Sequence, residues 1–238
     1  MFGDLTRIFV GGVEINAPLP RRGKKIVFID GGARLGEVYD WDGRPNAGIM
    51  DHQLNVDLDR DDMPIPFPNL KGAEIHMFEP NTKNWEEERV EVAKKISLYA
   101  ECVYIHSVAI WHTEEQREFY IGIDEFGDLG STLIKEKEEK LDRDNPLTVQ
   151  CIDIRKFLID NFKPEDLVMF KMDIEGAEYD VLPELLKDAG AMTIVKSLFV
   201  EWHPNFLPQK AVETMPTIIS QLNYWHTKKY LIYADWPY

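Results

Sequence analysis

The chain has 238 residues, of which 44% are hydrophobic and 11% aromatic, enough for one large α/β domain and unlike a disordered sequence. Its 42 acidic and 27 basic residues leave a formal net charge of −15, a repulsive field for a polyanion, so nucleic acid is excluded as the expected partner. No run of about 18 apolar residues occurs, which excludes membrane insertion through a transmembrane helix.

The stretch Met1–Val10 contains Asp4 and Arg7 and lacks the apolar core of a signal peptide, so a cytoplasmic setting is expected. Cys102 and Cys151 are the only cysteines, and each lies in an apolar, strand-like run. Buried free thiols in a reducing compartment are the expected outcome. With no CxxC pair or Cys/His cluster, a structural zinc site is not expected.

Short β-rich runs alternate with helical patterns along the chain, the order of a doubly wound α/β sheet. Lys25 to Asp30 reads as a strand that ends in an acid and runs into a glycine-rich turn. Residues 39–70 hold four prolines and many acids, and read as an irregular insertion in a single domain spanning 1–238. Ala73 to Glu79 is a second strand ending in an acid, and Trp85 to Tyr99 a helix with apolar positions at Val90, Ala93, Ile96 and Leu98. Cys102 to Ile110 is β-rich, and Arg117 to Ile123 reads as one arm of a hairpin. Asp124 to Asn145, charged and glycine-containing, is expected to be a mobile surface excursion.

Val149 to Ile152 reads as a short strand, and Ile154 to Asn161 as a helix. Leu167 to Asp173 is a continuous apolar strand of the kind buried in parallel sheets. Gly176 to Lys187 follows as a helix, with Glu178 in a first turn that favours an acid. Ser197 to Trp202 is the next strand, Ala211 to Leu222 a helix, and Tyr230 to Ala234 the last strand.

In open parallel sheets ligands bind beyond the carboxyl ends of the strands, so the residues there are the site candidates. The first turn reads Asp30-Gly31-Gly32-Ala33-Arg34-Leu35-Gly36. A dinucleotide fingerprint would require glycine at 33, where this chain has alanine. An acid followed by glycines two and six positions later fits the loop of a methyl-donor nucleotide better. Glu79, at the end of the second strand, can accept hydrogen bonds from both hydroxyls of a ribose.

Lys171-Met172-Asp173-Ile174-Glu175-Gly176-Ala177-Glu178 crowds three carboxylates and a lysine where a strand gives way to a helix. Burial and repulsion there raise carboxylate pKa values, the property of a group that takes a proton from a hydroxyl. Glu201 and His203 end the following strand two positions apart and can point the same way. His203 is a candidate base or a group that holds the acceptor. With Asp173, this pair includes donor types that suit a divalent cation, but no residue is assigned as a metal ligand. Trp111 and Trp202 read as core side chains rather than substrate platforms.

Phe28 to Glu37, Phe78-Glu79-Pro80-Asn81, Lys171 to Glu178 and Val200-Glu201-Trp202-His203 resemble, in order, the successive motifs of the FkbM family. Val108-Ala109-Ile110 with Glu118 to Ile121, and Cys151 to Leu158, are similar to its middle segments, so the likeness spans about residues 25 to 205. The resemblance implies a class I methyltransferase fold, Rossmann-like, with a mostly parallel seven-stranded sheet and helices on both faces. It implies S-adenosyl-L-methionine as donor and O-methylation of a hydroxyl, on a sugar, glycan or other small molecule. Carried over by position, it puts Asp30, Gly31, Gly32, Ala33 and Gly36 on the methionine part and Glu79 on the ribose. Ser107, Val108 and Ala109 would lie near the adenine, and Asp173, Glu175, Glu201 and His203 on the acceptor side, with Asp173 or His203 as base.

The chain departs from the family in two places. Arg34 stands where asparagine is usual, which is expected to alter the loop's contact with the cofactor, and the 39–70 insertion is unusually long. A binding module without catalysis and a nicotinamide-dependent oxidoreductase are the competing readings. The acid-rich 171–178 segment argues against the first, and Ala33 with the lack of a Tyr-x-x-x-Lys pair argues against the second. Nothing in the sequence marks the acceptor or an oligomeric state.

Overall fold

The computed structural model describes residues 5–17, 23–34, 72–83, 86–123, 128–228 and 231–235. Gly36 and the 39–70 insertion lie outside these residues. The strands are β1 (Thr6–Val10), β2 (Val13–Ile15), β3 (Ile26–Gly31), β4 (Glu74–Phe78), β5 (Cys102–His106), β6 (Ala109–Trp111), β7 (Gln116–Phe119), β8 (Leu147–Asp153), β9 (Leu167–Met172), β10 (Val195–Val200) and β11 (Ile232–Asp235). The helices are α1 (Glu86–Ile96), α2 (Ile154–Asn161), α3 (Glu178–Lys187), α4 (Ala189–Ile194) and α5 (Pro208–Thr227).

The main sheet has the order β11-β10-β9-β3-β4-β5-β1-β2 among the described residues. From β11 to β5 every pairing is parallel, whereas β1 pairs antiparallel with both β5 and β2. The mixed α/β architecture agrees with a Rossmann-like methyltransferase, but the expected seven strands are eight here. The sequence reading missed the β1–β2 hairpin, because Thr6 to Ile15 is short, interrupted by Gly11-Gly12 and only partly buried. The 102–110 run is broken at Ser107-Val108. Its second half, β6, joins β7 and β8 in a separate three-stranded sheet of order β6-β8-β7. β7 pairs antiparallel with β8, the next strand in the chain, and Tyr120 and Gly122 form antiparallel bridges with Thr132 and Leu141, so this run is one arm of a long-looped antiparallel pairing.

The two faces of the sheet follow from period-two alternation. Val27 and Ile29 of β3, and Val168, Phe170 and Met172 of β9, enter one core with α2 to α5. Phe28 and Met169 enter the other, beneath Val90, Ala93 and Ile96 of α1. β4 and β9 are buried at every position, as strands covered on both sides must be. The polar members of β4 find partners inside the protein: Lys25 Nζ donates to Glu74 Oε2 at 2.7 Å, and His76 Nδ1 lies 3.0 Å from His106 Nε2, while His76 Nε2 is buried without a hydrogen bond.

Asp153 caps α2, its carboxylate accepting from the Arg155 N–H at 3.0 Å. α3 starts two residues later than the sequence suggests, because Glu175 (φ 56) and Gly176 (φ 97) both adopt the left-handed conformation first. Cys102 and Cys151 are buried free thiols, and burial pushes their pKa values up to about 11 and about 12. Trp111 is buried and Trp202 packs against the same core, as expected. Among the described residues, no helix is long and apolar enough to cross a membrane.

Candidate functional site

The strand order reverses between β3 and β9: from β3 the chain builds outward through β4 and β5, then returns to β9 and builds the other way. Such a switch point opens a crevice at the carboxyl ends of its two strands. The two ends touch here. The Asp173 N–H donates to Gly31 O at 3.1 Å, and a Cβ on Gly32 (φ +76) would lie 1.7 Å from Asp173 O. A Cβ on Gly31 would meet Ile110 Cδ1 at 2.8 Å. The paired glycines are therefore needed by the passage of β9 and Ile110 across the turn. Beyond it lies a cavity of about 350 Å³, in the usual range for small-molecule sites.

One wall is built from Glu79, Arg34, Asn81, Arg89 and Asp128. Glu79 is buried at the end of β4; its Oε2 accepts from the Arg34 N–H at 3.0 Å and its Oε1 from the Asn81 N–H at 2.8 Å. Burial pushes its carboxyl above the usual carboxylate range, while Arg89 and the two N–H donors pull it back. Arg89 reaches in from α1, fully buried, donating to Arg34 O at 2.5 Å and to Asn81 O at 3.1 Å. Asp128 fastens this wall, with one oxygen 3.2 Å from the Arg34 guanidinium and the other accepting from Asn81 Nδ2 at 3.0 Å. Arg34 has φ 37, a region where asparagine is better tolerated, so the departure from the family residue falls at a strained position held by an ion pair.

The opposite wall is carboxylate-rich. Lys171, buried in β9, places Nζ 3.3 Å from Asp30 Oδ1 and 3.1 Å from Asp173 Oδ2. Burial works against its charge, yet Asp173 and Asp30 together raise it above the ordinary lysine range. Behind Asp173 and Glu175 sits His203, 2% exposed. Its Nδ1 lies 2.9 Å from Glu178 Oε1, so Nδ1 carries the proton and donates, because a carboxylate only accepts. Its Nε2 lies 3.1 Å from Glu175 Oε2, 3.4 Å from Glu201 Oε1 and 3.8 Å from Asp173 Oδ1. Burial disfavours the imidazolium, but Glu178, Glu201 and Glu175 outweigh it and push the pKa up to about 11. Burial also pushes the Glu175 carboxyl up to about 7, against the pull of His203 and Lys137.

Asp30, Gly32, Ala33, Glu79, Ala109, Asp173, Glu175 and Glu201 all line the cavity. Gly31 supports the turn without lining it, Ser107 and Val108 stand outside it, and His203 lies just behind the wall. Ile110 and Phe119 take the apolar positions beside Ala109.

Sequence reasoning missed Lys137, Asp128 and Arg89. The 128–145 part of the expected excursion is folded over the site: Thr132 and Lys137 are fully buried. Thr132 Oγ1 donates to Glu175 O at 2.7 Å, and Lys137 Nζ donates to Glu175 Oε2 at 2.6 Å. Lys137 looked like a solvent marker because Glu175, which holds it over the site, is 38 positions away in sequence. Arg89 was legible only as a cation on the buried stripe of α1, one position before Val90.

A family model for the FkbM methyltransferase domain matches residues 53–225, more than half of the chain, including Glu79, Asp173, Glu201 and His203. The Asp30–Gly32 turn precedes the matched stretch. No curated protein and no solved structure matches the chain. Motif order, switch-point crevice and family match agree: the chain belongs to the FkbM methyltransferase family.

Proposed function

We propose that the protein is an S-adenosylmethionine-dependent O-methyltransferase whose acceptor is a hydroxyl group, on a sugar or glycan. The observation that carries the donor reading is Glu79. Its carboxylate is buried in the cavity wall, and among the described residues each oxygen accepts one N–H and keeps a second lone pair. A vicinal diol, which presents two adjacent hydroxyl donors, suits that fork. The residues fit the donor on this count and on the volume of the cavity. Glu79 would hold the ribose, and the Asp30–Gly32 turn with Lys171 the charged methionine part. The apolar positions Ala109 and Ile110 would flank the base. When bound, the donor supplies an electrophilic sulfonium methyl.

The acceptor side rests on the carboxylates at the end of β9. With so reactive a methyl source, the protein must mainly align the acceptor oxygen and take its proton. Asp173 lines the cavity, and its Oδ1 has no hydrogen-bond partner, so it serves as proton acceptor. His203 already holds protons on its carboxylate neighbours' side and sits behind the wall, which suits positioning rather than proton abstraction.

The test is calorimetric titration of the protein with S-adenosylhomocysteine, with NAD as control, alongside Glu79→Ala. Micromolar binding of the nucleoside, weakened about 10- to 100-fold by loss of the charged acceptor, is the expected result. Binding of NAD without S-adenosylhomocysteine would overturn the reading in favour of an oxidoreductase.

A further inference from the structure

Asp173 Oδ1, Glu201 Oε1 and His203 Nε2 converge within 4.8 Å of one another, all three atoms buried and without a well-formed hydrogen bond, the nearest contact being Glu175 Oε2 at 3.1 Å from Nε2. Two of them are deeply buried: His203 is 2% and Glu201 4% exposed. A buried polar atom without a partner costs about 1–3 kcal/mol, so three facing one point call for an occupant. We propose that these three residues hold a divalent metal ion at the cavity wall, with Glu178 as the outer carboxylate that orients the histidine. The proposal rests on the O-methyltransferase reading for its purpose, although not for its ligands.

Three features support an ion rather than a structural cluster. First, Glu178 Oε1 accepts from His203 Nδ1 at 2.9 Å, which turns Nε2 toward Asp173, Glu201 and Glu175, and a metal ion would take the place of the Nε2 proton there. Carboxylate–histidine–metal relays are built this way. Glu178 is itself fixed, its Oε2 accepting from the Gly176 N–H at 2.9 Å.

Second, negative charge is in excess. Four carboxylates face His203: Asp173, Glu175, Glu178 and Glu201. The lysines that touch this group are each shared with another acid, Lys171 with Asp30 and Lys137 with Glu139. A divalent cation offsets that surplus.

Third, the cluster is open on one side only. Asp173 and Glu201 line the cavity, and the histidine closes the back. Catalytic metals keep such an open position for substrate or water.

Lys171 Nζ occupies Asp173 Oδ2 at 3.1 Å, so Asp173 would bind through Oδ1 alone. Two carboxylate oxygens and one imidazole nitrogen suit manganese, iron or zinc. An acceptor hydroxyl on the open face would be made more acidic by the ion, and Asp173 would then act as ligand rather than as lone base. A proton and the metal compete for the same Nε2 lone pair.

The test uses the full chain, stripped with chelator, and manganese(II) chloride as probe. Loss of the free-ion electron paramagnetic resonance signal counts bound ions, and pulsed spectra report nitrogen coupling from a coordinated imidazole. The expected result is saturable binding of one ion per chain with nitrogen coupling. Glu178→Gln and Glu201→Gln, each verified as folded by circular dichroism, should weaken binding at least about tenfold. Absence of saturable binding of manganese or zinc to the folded wild type overturns the proposal. So does binding without nitrogen coupling that neither variant changes. S-adenosylhomocysteine titrated into the same samples separates the two readings. Nucleoside binding without metal sinks the ion site alone, whereas metal binding without nucleoside supports the ligands and sinks the donor assignment.

Discussion

The ammonium of Lys171 stands 3.1 Å from Oδ2 of Asp173, so the same strand end supplies both the carboxylate that faces the cavity and the cation that anchors it. Lys171 also lies 3.3 Å from Asp30, joining the ends of β9 and β3 at the switch point. Replacing it with methionine would leave two acids without their buried cation. Lys171→Met should therefore cost on the order of 3–5 kcal/mol, measured by urea denaturation. Adding Asp30→Asn should recover much of the loss. A single variant as stable as wild type would show that this lysine does not hold the site together.

Gly32 is fixed by geometry. Any side chain there would combine a left-handed backbone with a Cβ 1.7 Å from Asp173 O. Gly32→Ala should cost about 1–3 kcal/mol for the backbone and a comparable amount for the displaced strand end. Gly72, also left-handed but with nothing near its Cβ position, is the control. Equal losses from Gly32→Ala and Gly72→Ala would place the whole effect in the backbone conformation.

His76 and His106 give the fold an acid limit. Their rings touch at 3.0 Å between Nδ1 and Nε2, so one nitrogen must accept and both rings cannot be charged. Burial lowers both pKa values from about 6.5, His106 well below it. The unfolded chain then binds protons that the folded one refuses, so stability is complete above pH 6.5 and falls as pH drops toward the folded-state values. The slope is about 1.4 kcal/mol per pH unit for each histidine. Denaturation at pH 7.5 and 5.5 should show this loss, and His106→Gln should reduce it. An unchanged pH dependence in the variant would remove the pair as its cause.

Lys137 decides whether the 128–141 segment stays closed over the cavity. Fully buried, it lies 2.5 Å from Glu139 and 2.6 Å from Glu175. Lys137→Met should cost on the order of 3–5 kcal/mol and raise amide hydrogen exchange selectively through 128–141. Uniform exchange across the chain would mean that this lysine supports the whole fold instead.

The elements that pack both faces of the sheet were legible in the sequence, because burial on both sides leaves an apolar run that no other structure explains. Leu167 to Met172 and the helix Ile154–Asn161 are cases where local pattern and tertiary demand coincide. The acids that end those strands, Asp30, Glu79 and Asp173, followed from the rule that ligands sit beyond the carboxyl ends. What the sequence could not decide were pairings between distant residues. β1 and β2 were missed because a half-exposed edge hairpin leaves no long apolar run. Lys137 reads as a solvated charge until the fold sets Glu175, 38 positions away, against it. The charge on His203 likewise depends on Glu178, Glu201 and Glu175 meeting around one ring. Hydrophobic periodicity is a local property of the chain and so determined the scaffold; charge compensation in a buried site is a property of proximity, and only the tertiary structure decided it.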